Sequence, residues 1–129
     1  MNRLLIDTDI YSEALRGNPE VVHILRHAAR IGVSAISIGE LLSGFRAGNR
    51  EQKNRDELAR FLDSPRVELF TIDDDTAEHY SSVLSQLKRK GTPIPTNDIW
   101  IGAVALQHGL PLYTRDQHFQ QIDGLLLVA

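Results

Sequence analysis

The chain has 129 residues, and single cores ordinarily span about 100 to 200, so the length predicts one domain over residues 1–129 and excludes two. Hydrophobic residues at 42% and charged residues at 24% exclude a disordered, fibrous or collagen-like chain. Fourteen basic against seventeen acidic side chains leave a net charge of −3, so nucleic acid is not held here by bulk positive charge and would need a local basic patch.

Leu4-Leu5-Ile6 is a short apolar run that stops at Asp7, and Thr8 to Arg16 reads as a helix closed by Gly17. Asn18 and Pro19 supply an N-cap and a first helical position, and Val21, Val22, Leu25, Ala28 and Ala29 carry a helical stripe up to Gly32. Val33-Ser34-Ala35-Ile36 reads as a strand, and Ile38, Leu41, Leu42 and Phe45 then fall at helical spacing. Asn49 to Asp63 is polar in its first half and apolar at Leu58, Phe61 and Leu62, the pattern of a helix that projects before it packs; Pro65 ends it. Val67 to Ile72 alternates as a strand, and Asp73-Asp74-Asp75 starts a helix striped by Ala77, Tyr80, Val83, Leu84 and Leu87. Beyond Pro93-Ile94-Pro95, the stretch Ile99 to Leu106 is apolar almost all round, as a helix buried on several sides would be. Leu112-Tyr113-Thr114 and Leu125 to Val128 read as the last strands. Strands separated by helices predict an α/β fold, a parallel sheet with helices on both faces, without internal repeat or linker.

Ligands of such sheets bind beyond the carboxyl ends of the strands. Asp7 follows the first strand, Glu40 lies just after the second, Asp98 opens the buried helix and Asp116 follows Leu112-Tyr113-Thr114. Four gathered carboxylates repel unless protonated or neutralised, and a hard divalent cation such as Mg²⁺ is the natural neutraliser. Cysteine is absent, which removes disulfides, thiolate chemistry and Cys-based zinc sites and leaves carboxylates and five His as ligands. Each acid also has a local explanation. Ser37 and Glu40 match a capping box, Asp98 suits a helix dipole, Asp7 with Thr8 could cap the first helix, and Asp116 could begin a turn. His23 and His27 have the spacing of a helical metal pair, but Arg26 and Arg30 beside them and the lack of a third ligand favour a solvated face over zinc. His79, His108 and His118 read as structural, and Asp73-Asp74-Asp75 as a capped helix start rather than a second metal site. No apolar run approaches the roughly 20 residues of a membrane span, and a carboxylate interrupts the N-terminal apolar stretch, so a cytoplasmic location is expected.

Leu5-Ile6-Asp7-Thr8-Asp9, Ser37-Ile38-Gly39-Glu40-Leu41, Thr96-Asn97-Asp98-Ile99-Trp100-Ile101-Gly102-Ala103 and Leu112-Tyr113-Thr114-Arg115-Asp116-Gln117-His118-Phe119 occur in an order and spacing that resembles PIN-domain ribonucleases. The chain particularly resembles the VapC toxins of bacterial toxin and antitoxin pairs, over its whole length. The resemblance implies a Rossmann-like, three-layer sandwich with a five-stranded parallel sheet, Asp7, Glu40, Asp98 and Asp116 as Mg²⁺ or Mn²⁺ carboxylates, and Thr114 as an accessory hydroxyl. It also implies RNA cleavage, a homodimer and inhibition by a VapB-like antitoxin. Asp9 stands where these toxins often have Asn and Gly102 where Ala is usual, and some members carry Asn in place of Asp116.

The Asp7-Thr8-Asp9 run also resembles the nucleophile motif of haloacid dehalogenase-like phosphatases, which would want a lysine behind a later strand; the last lysine, Lys90, precedes a loop and a helix. A receiver-like signalling module needs a lysine after its last strand and finds none; a PIN fold kept only for binding would not need four acids. RNA must still reach an acidic site, and Arg50, Lys53 and Arg60 lie on one stripe of the projecting helix, where a Lys53 to Glu57 pair would instead make a solvated face. For an antitoxin helix, Ile10, Tyr11, Leu15, Leu41, Leu42 and Phe45 offer apolar side chains, most of them expected in the core.

Overall fold

In the computed structural model, which describes residues 2–128, strands β1 (Arg3–Ile6), β2 (Arg30–Ser34), β3 (Val67–Phe70), β4 (Leu112–Tyr113) and β5 (Leu127–Val128) form one parallel sheet. Its order is β3-β2-β1-β4-β5. The helices are α1 (Thr8–Leu15), α2 (Pro19–His27), α3 (Ala35–Ala47), α4 (Glu51–Leu62), α5 (Asp74–Lys90) and α6 (Thr96–His108).

Side chains of β1 alternate between faces, as a strand's period of two requires. Leu4 and Ile6 join Ile10, Tyr11, Val21, Val33, Leu41 and Leu58 in a core under α1 to α4. Leu5 joins Val83, Leu87, Ile101, Val104 and Phe119 in a second core under α5 and α6. The result is the three-layer α/β arrangement expected from the sequence. Gly32 lies where β2 meets β1 and β3, and a Cβ there would stand 2.7 Å from the Phe70 ring, so the close approach of ring to backbone requires glycine. Among the described residues no helix is long and apolar enough to cross a membrane.

The chain winds outward from β1 to β3 and returns on the other side of β1, which makes the carboxyl ends of β1 and β4 the point where strand order reverses. Pairing of Ile6 with Tyr113 and the bond from the Asp7 N–H to the Tyr113 carbonyl, 3.0 Å, set Asp7 and Thr114 side by side there.

Several element bounds differ from expectation. The Ser34 hydroxyl accepts the Ser37 N–H, so α3 starts at Ala35 and takes over Ala35 and Ile36, while β2 begins earlier, at Arg30. The Arg66 guanidinium donates to the carbonyls of Leu25 and Ala28, and α2 ends at His27 instead of running toward Gly32. β3 stops at Phe70, and α6 starts at Thr96 directly after Pro95. Residues Gln117–Gln121 form a 3₁₀ helix that the sequence did not announce, and it buries Phe119.

Candidate active site

Asp7 ends β1 and caps α1: one carboxylate oxygen accepts the Thr8 N–H at 2.7 Å and the other accepts the Thr114 hydroxyl at 2.8 Å. Only 5% of the residue is exposed. Burial raises its pKa to about 6 against the lowering effect of both hydrogen bonds, and the negative charges of Asp98 and Asp9 push in the same direction as burial. Asp7 is thus a cap and also a carboxylate held at a cost in its charged form.

Glu40 lies in the second turn of α3, so the expected Ser37–Glu40 capping box does not form; Ser34 is the cap. Freed from the helix end, the Glu40 carboxylate accepts the Thr8 hydroxyl at 2.5 Å and the Asn97 side-chain amide at 3.2 Å. Those partners tie α1, α3 and α6 together around one oxygen pair. Asp98 stands in the first turn of α6, where no side chain caps the helix. Burial raises its pKa, countered by the hydrogen bond from His118, and the charges of Asp116 and Glu40 raise it further.

Thr114 and Asp116 come from the turn after β4. The Thr114 hydroxyl accepts the Asp116 N–H at 3.0 Å while donating to Asp7, and Asp116 in turn accepts the His118 N–H at 2.9 Å. Asp116 therefore does begin a turn, as its local reading held, and the turn also aims its carboxylate at Asp98. His118, read from the sequence as structural, has its ring nitrogen Nδ1 3.1 Å from an oxygen of Asp98 and 3.1 Å from one of Asp116. One ligand atom each from Asp98, Asp116 and His118 lie within 4.8 Å of one another. The spacing Asp116-Gln117-His118 was the available signal; the 3₁₀ turn that brings both side chains to one side was not.

Asp7, Glu40, Asp98 and Asp116 all line one open groove of about 730 Å³, together with Thr8, Asp9, Asn97, His118 and an apolar wall of Leu41 and Phe45. A water-accessible set of carboxylate oxygens with one imidazole nitrogen, including an acid whose charge is unfavourable without a counterion, fits a divalent cation such as Mg²⁺ or Mn²⁺.

Other sequence candidates lie elsewhere. Asp73 accepts the Thr76 N–H in a capping box and is held by Gln107, and its pKa is lowered, so it is a helix cap as expected. His23 and His27 sit exposed on α2. His108 packs on Phe70, and Nδ1 of His79 bonds the Asp75 carbonyl. Arg50 stands at the N-cap of α4, and Lys53 and Arg60 are exposed on that helix; none of the three lines the groove. The Lys53 to Glu57 pair is not among the ion pairs of the described residues, where Arg55 with Glu51 is the pair on α4. Ile10 and Tyr11 are fully buried, Leu41 nearly so, and Leu15 is exposed.

The sequence profile of the family described as PIN domain matches residues 4–125. The chain is 30% identical to the ribonuclease VapC4 of Mycobacterium tuberculosis, over 100% of this chain and 98% of that one. In architecture it is similar to the chain in the crystal structure of VapBC2 from Rickettsia felis bound to a DNA fragment from their promoter, with a TM-score of 0.88, 25% identity and coverage of 98% and 97%. It is also similar to VapBC-5 of Mycobacterium tuberculosis, a member of the VapBC family of toxin-antitoxin systems, with a TM-score of 0.71, 25% identity and coverage of 99% and 100%. The chain belongs to the PIN-domain family, within its VapC ribonucleases.

Proposed function

We propose that this protein is an endoribonuclease toxin of the VapC kind, one PIN domain over residues 1–129, which hydrolyses RNA phosphodiester bonds with Mg²⁺ or Mn²⁺ and is held inactive by a VapB-like antitoxin. The observation that carries this reading is the convergence of Asp7, Glu40, Asp98 and Asp116, from four parts of the chain, on one groove at the reversal of strand order. These four carboxylates would hold the cation, which when bound neutralises them, polarises a phosphoryl oxygen and activates water.

The protein's own groups prepare that chemistry. Thr114 and the Thr8 N–H fix both oxygens of Asp7, and Thr8 with Asn97 fixes those of Glu40, so neither acid has to reorganise when the site is filled. Thr114 acts through Asp7 and Asp116 as a positioning residue. With water as nucleophile in place of the RNA 2′-hydroxyl, the products carry 5′-phosphate and 3′-hydroxyl ends. Arg50, Lys53 and Arg60, exposed and outside the groove, would hold phosphates of the flanking RNA. The wall of Leu41 and Phe45 beside the acids suits an apolar antitoxin segment, whereas Ile10 and Tyr11 are buried and take no part. A homodimer in the cytoplasm completes the reading, by likeness to the family. Among the described residues no lysine lines the groove, so a phosphatase using Asp7 and Asp9 gains no support.

The test is cleavage of end-labelled RNA by the purified protein with Mn²⁺. Cleavage lost in EDTA and leaving 5′-phosphate ends is the expected result. Cleavage that survives EDTA, or products ending in cyclic 2′,3′-phosphates, contradicts the mechanism.

A further inference from the structure

The family reading accounts for four carboxylates, and His118 stands among them with no assigned task. Its side chain is 49% exposed, so packing does not dictate its position. Two features of the turn do. Asp116 accepts the His118 backbone N–H, which brings both side chains to one side of the 3₁₀ helix, and Thr114 anchors the Asp116 N–H from before. The ring is thereby directed at the acids rather than at solvent.

Its contacts have the geometry of a ligand. Nδ1 lies 3.1 Å from Asp98 Oδ2 and 3.1 Å from Asp116 Oδ1. An imidazole nitrogen carries at most one hydrogen, and one hydrogen directed at two carboxylate oxygens serves only one of them well. Adjacent ligands of an octahedral cation bonded at about 2.1 Å stand about 3 Å apart, which is the spacing of Nδ1 from each of the two oxygens. A cation seated against Nδ1 and both oxygens satisfies all three atoms at once.

Resting on the metal-dependent reading above, the geometry points to His118 as a direct nitrogen ligand of the divalent cation, through Nδ1, alongside Asp98 and Asp116. The consequence is a metal preference. Oxygen ligands suit Mg²⁺, and an imidazole in the set favours a transition-metal ion, so this chain binds Mn²⁺ in preference to Mg²⁺ to an extent that depends on His118.

Electron spin echo envelope modulation of the Mn²⁺-loaded protein reads the bond directly, and calorimetry with Mn²⁺ and with Mg²⁺ reads the preference. The wild type is expected to show nitrogen modulation of a directly bound imidazole. His118→Ala and the more conservative His118→Asn are expected to lose it, with Mn²⁺ affinity about tenfold weaker and Mg²⁺ affinity changed less. Saturable Mn²⁺ binding without nitrogen modulation, or modulation that persists in both variants, overturns the assignment and leaves the carboxylate site standing. Absence of any saturable Mn²⁺ binding in the wild type overturns both the assignment and the metal-dependent reading beneath it.

Discussion

Two acidic clusters stand beyond parallel strands of this sheet, and they have opposite characters. Asp73 follows β3 at the sheet edge and spends its carboxylate on capping α5 and tying it to α6: the Thr76 N–H, the Thr76 hydroxyl and the Gln107 side-chain amide of α6 all donate to it, and its proton affinity falls. Asp7 follows β1 at the centre of the sheet, also caps a helix, and nevertheless has its proton affinity raised, because it is buried beside further acids. The difference lies in topology. At the reversal between β1 and β4 two strand ends and the starts of two helices converge and gather several acids, whereas beyond the edge strand the acid meets hydrogen-bond donors, Thr76 of α5 and Gln107 of α6. A capping acid is satisfied by the fold; a gathered acid is left with charge for something else to neutralise.

The sharpest way to break that contrast is to remove one charge at the centre. Asp98→Asn keeps the shape of the side chain and the helix, so the melting temperature holds while RNA cleavage falls about a thousandfold, the several kcal/mol that a bound cation contributes to such a transition state. Unchanged cleavage rates with Mn²⁺ would place Asp98 with Asp73, as a helix-start acid and nothing more.

Asp7 makes the same point through pH. Its folded pKa lies above its unfolded one, so between about pH 4 and 6 the folded state keeps a proton that the unfolded state releases. Stability contributed by that proton is complete at the acid end and lost as pH rises through about 6. From 3.8 to about 6 the loss approaches about 3 kcal/mol at 1.36 kcal/mol per unit. Chemical denaturation of the metal-free protein should therefore show Asp7→Asn more stable than wild type at pH 7.5 and similar to it near pH 4. Equal stability of the two at both pH values would remove the claim that the buried charge is unfavourable.

Glu40→Gln comes next in size. Since Ser34 rather than Ser37 caps α3, Glu40 has no part in the helix end, and Gln can still accept from Thr8. Cleavage should drop about a hundredfold with no change in melting temperature, a smaller loss than at Asp98 because the Thr8 and Asn97 contacts are retained in part. A lowered melting point with normal activity would restore the capping role. Asp73→Ala should do the reverse: a melting midpoint lower by a few degrees, from the lost cap, and normal cleavage below it. Smallest is Gly102→Ala. A Cβ there meets only the tip of Ile122, at 2.6 Å, a side chain end that can rotate aside, and helix propensity gains up to about 1 kcal/mol. Stability within about 1 kcal/mol of wild type and unchanged cleavage are expected; a large loss would show that Ile122 cannot yield.

The arrangement of layers was readable because it rests on local signals: apolar runs of three or four residues, stripes at helical spacing, and Gly17, Pro65 and Pro95 at boundaries. The four acids were readable from their places after strands, but what distinguishes them from caps was not. That depends on strand order, which no local pattern encodes, and on long-range contacts such as Asn97 with Glu40. The same limit explains the end of α2, fixed by an arginine 38 residues beyond Ala28, whereas the start of α3 turned on a local choice, Ser34 instead of Ser37 as the cap. His118 reads as structural in the sequence because nothing local distinguishes it from an ordinary histidine beyond a turn acid, and only the 3₁₀ turn swings it onto Asp98.

Paramagnetic broadening of amide resonances on titration with substoichiometric Mn²⁺ compares the two acidic clusters in one experiment. The account predicts early loss of signals around Asp7, Thr8, Asp98, Asp116 and His118, with those of Asp73 to Thr76 retained. Equal broadening at both clusters, or earlier loss at Asp73 to Thr76, would contradict the claim that the acids gathered at the β1 and β4 ends form the metal site.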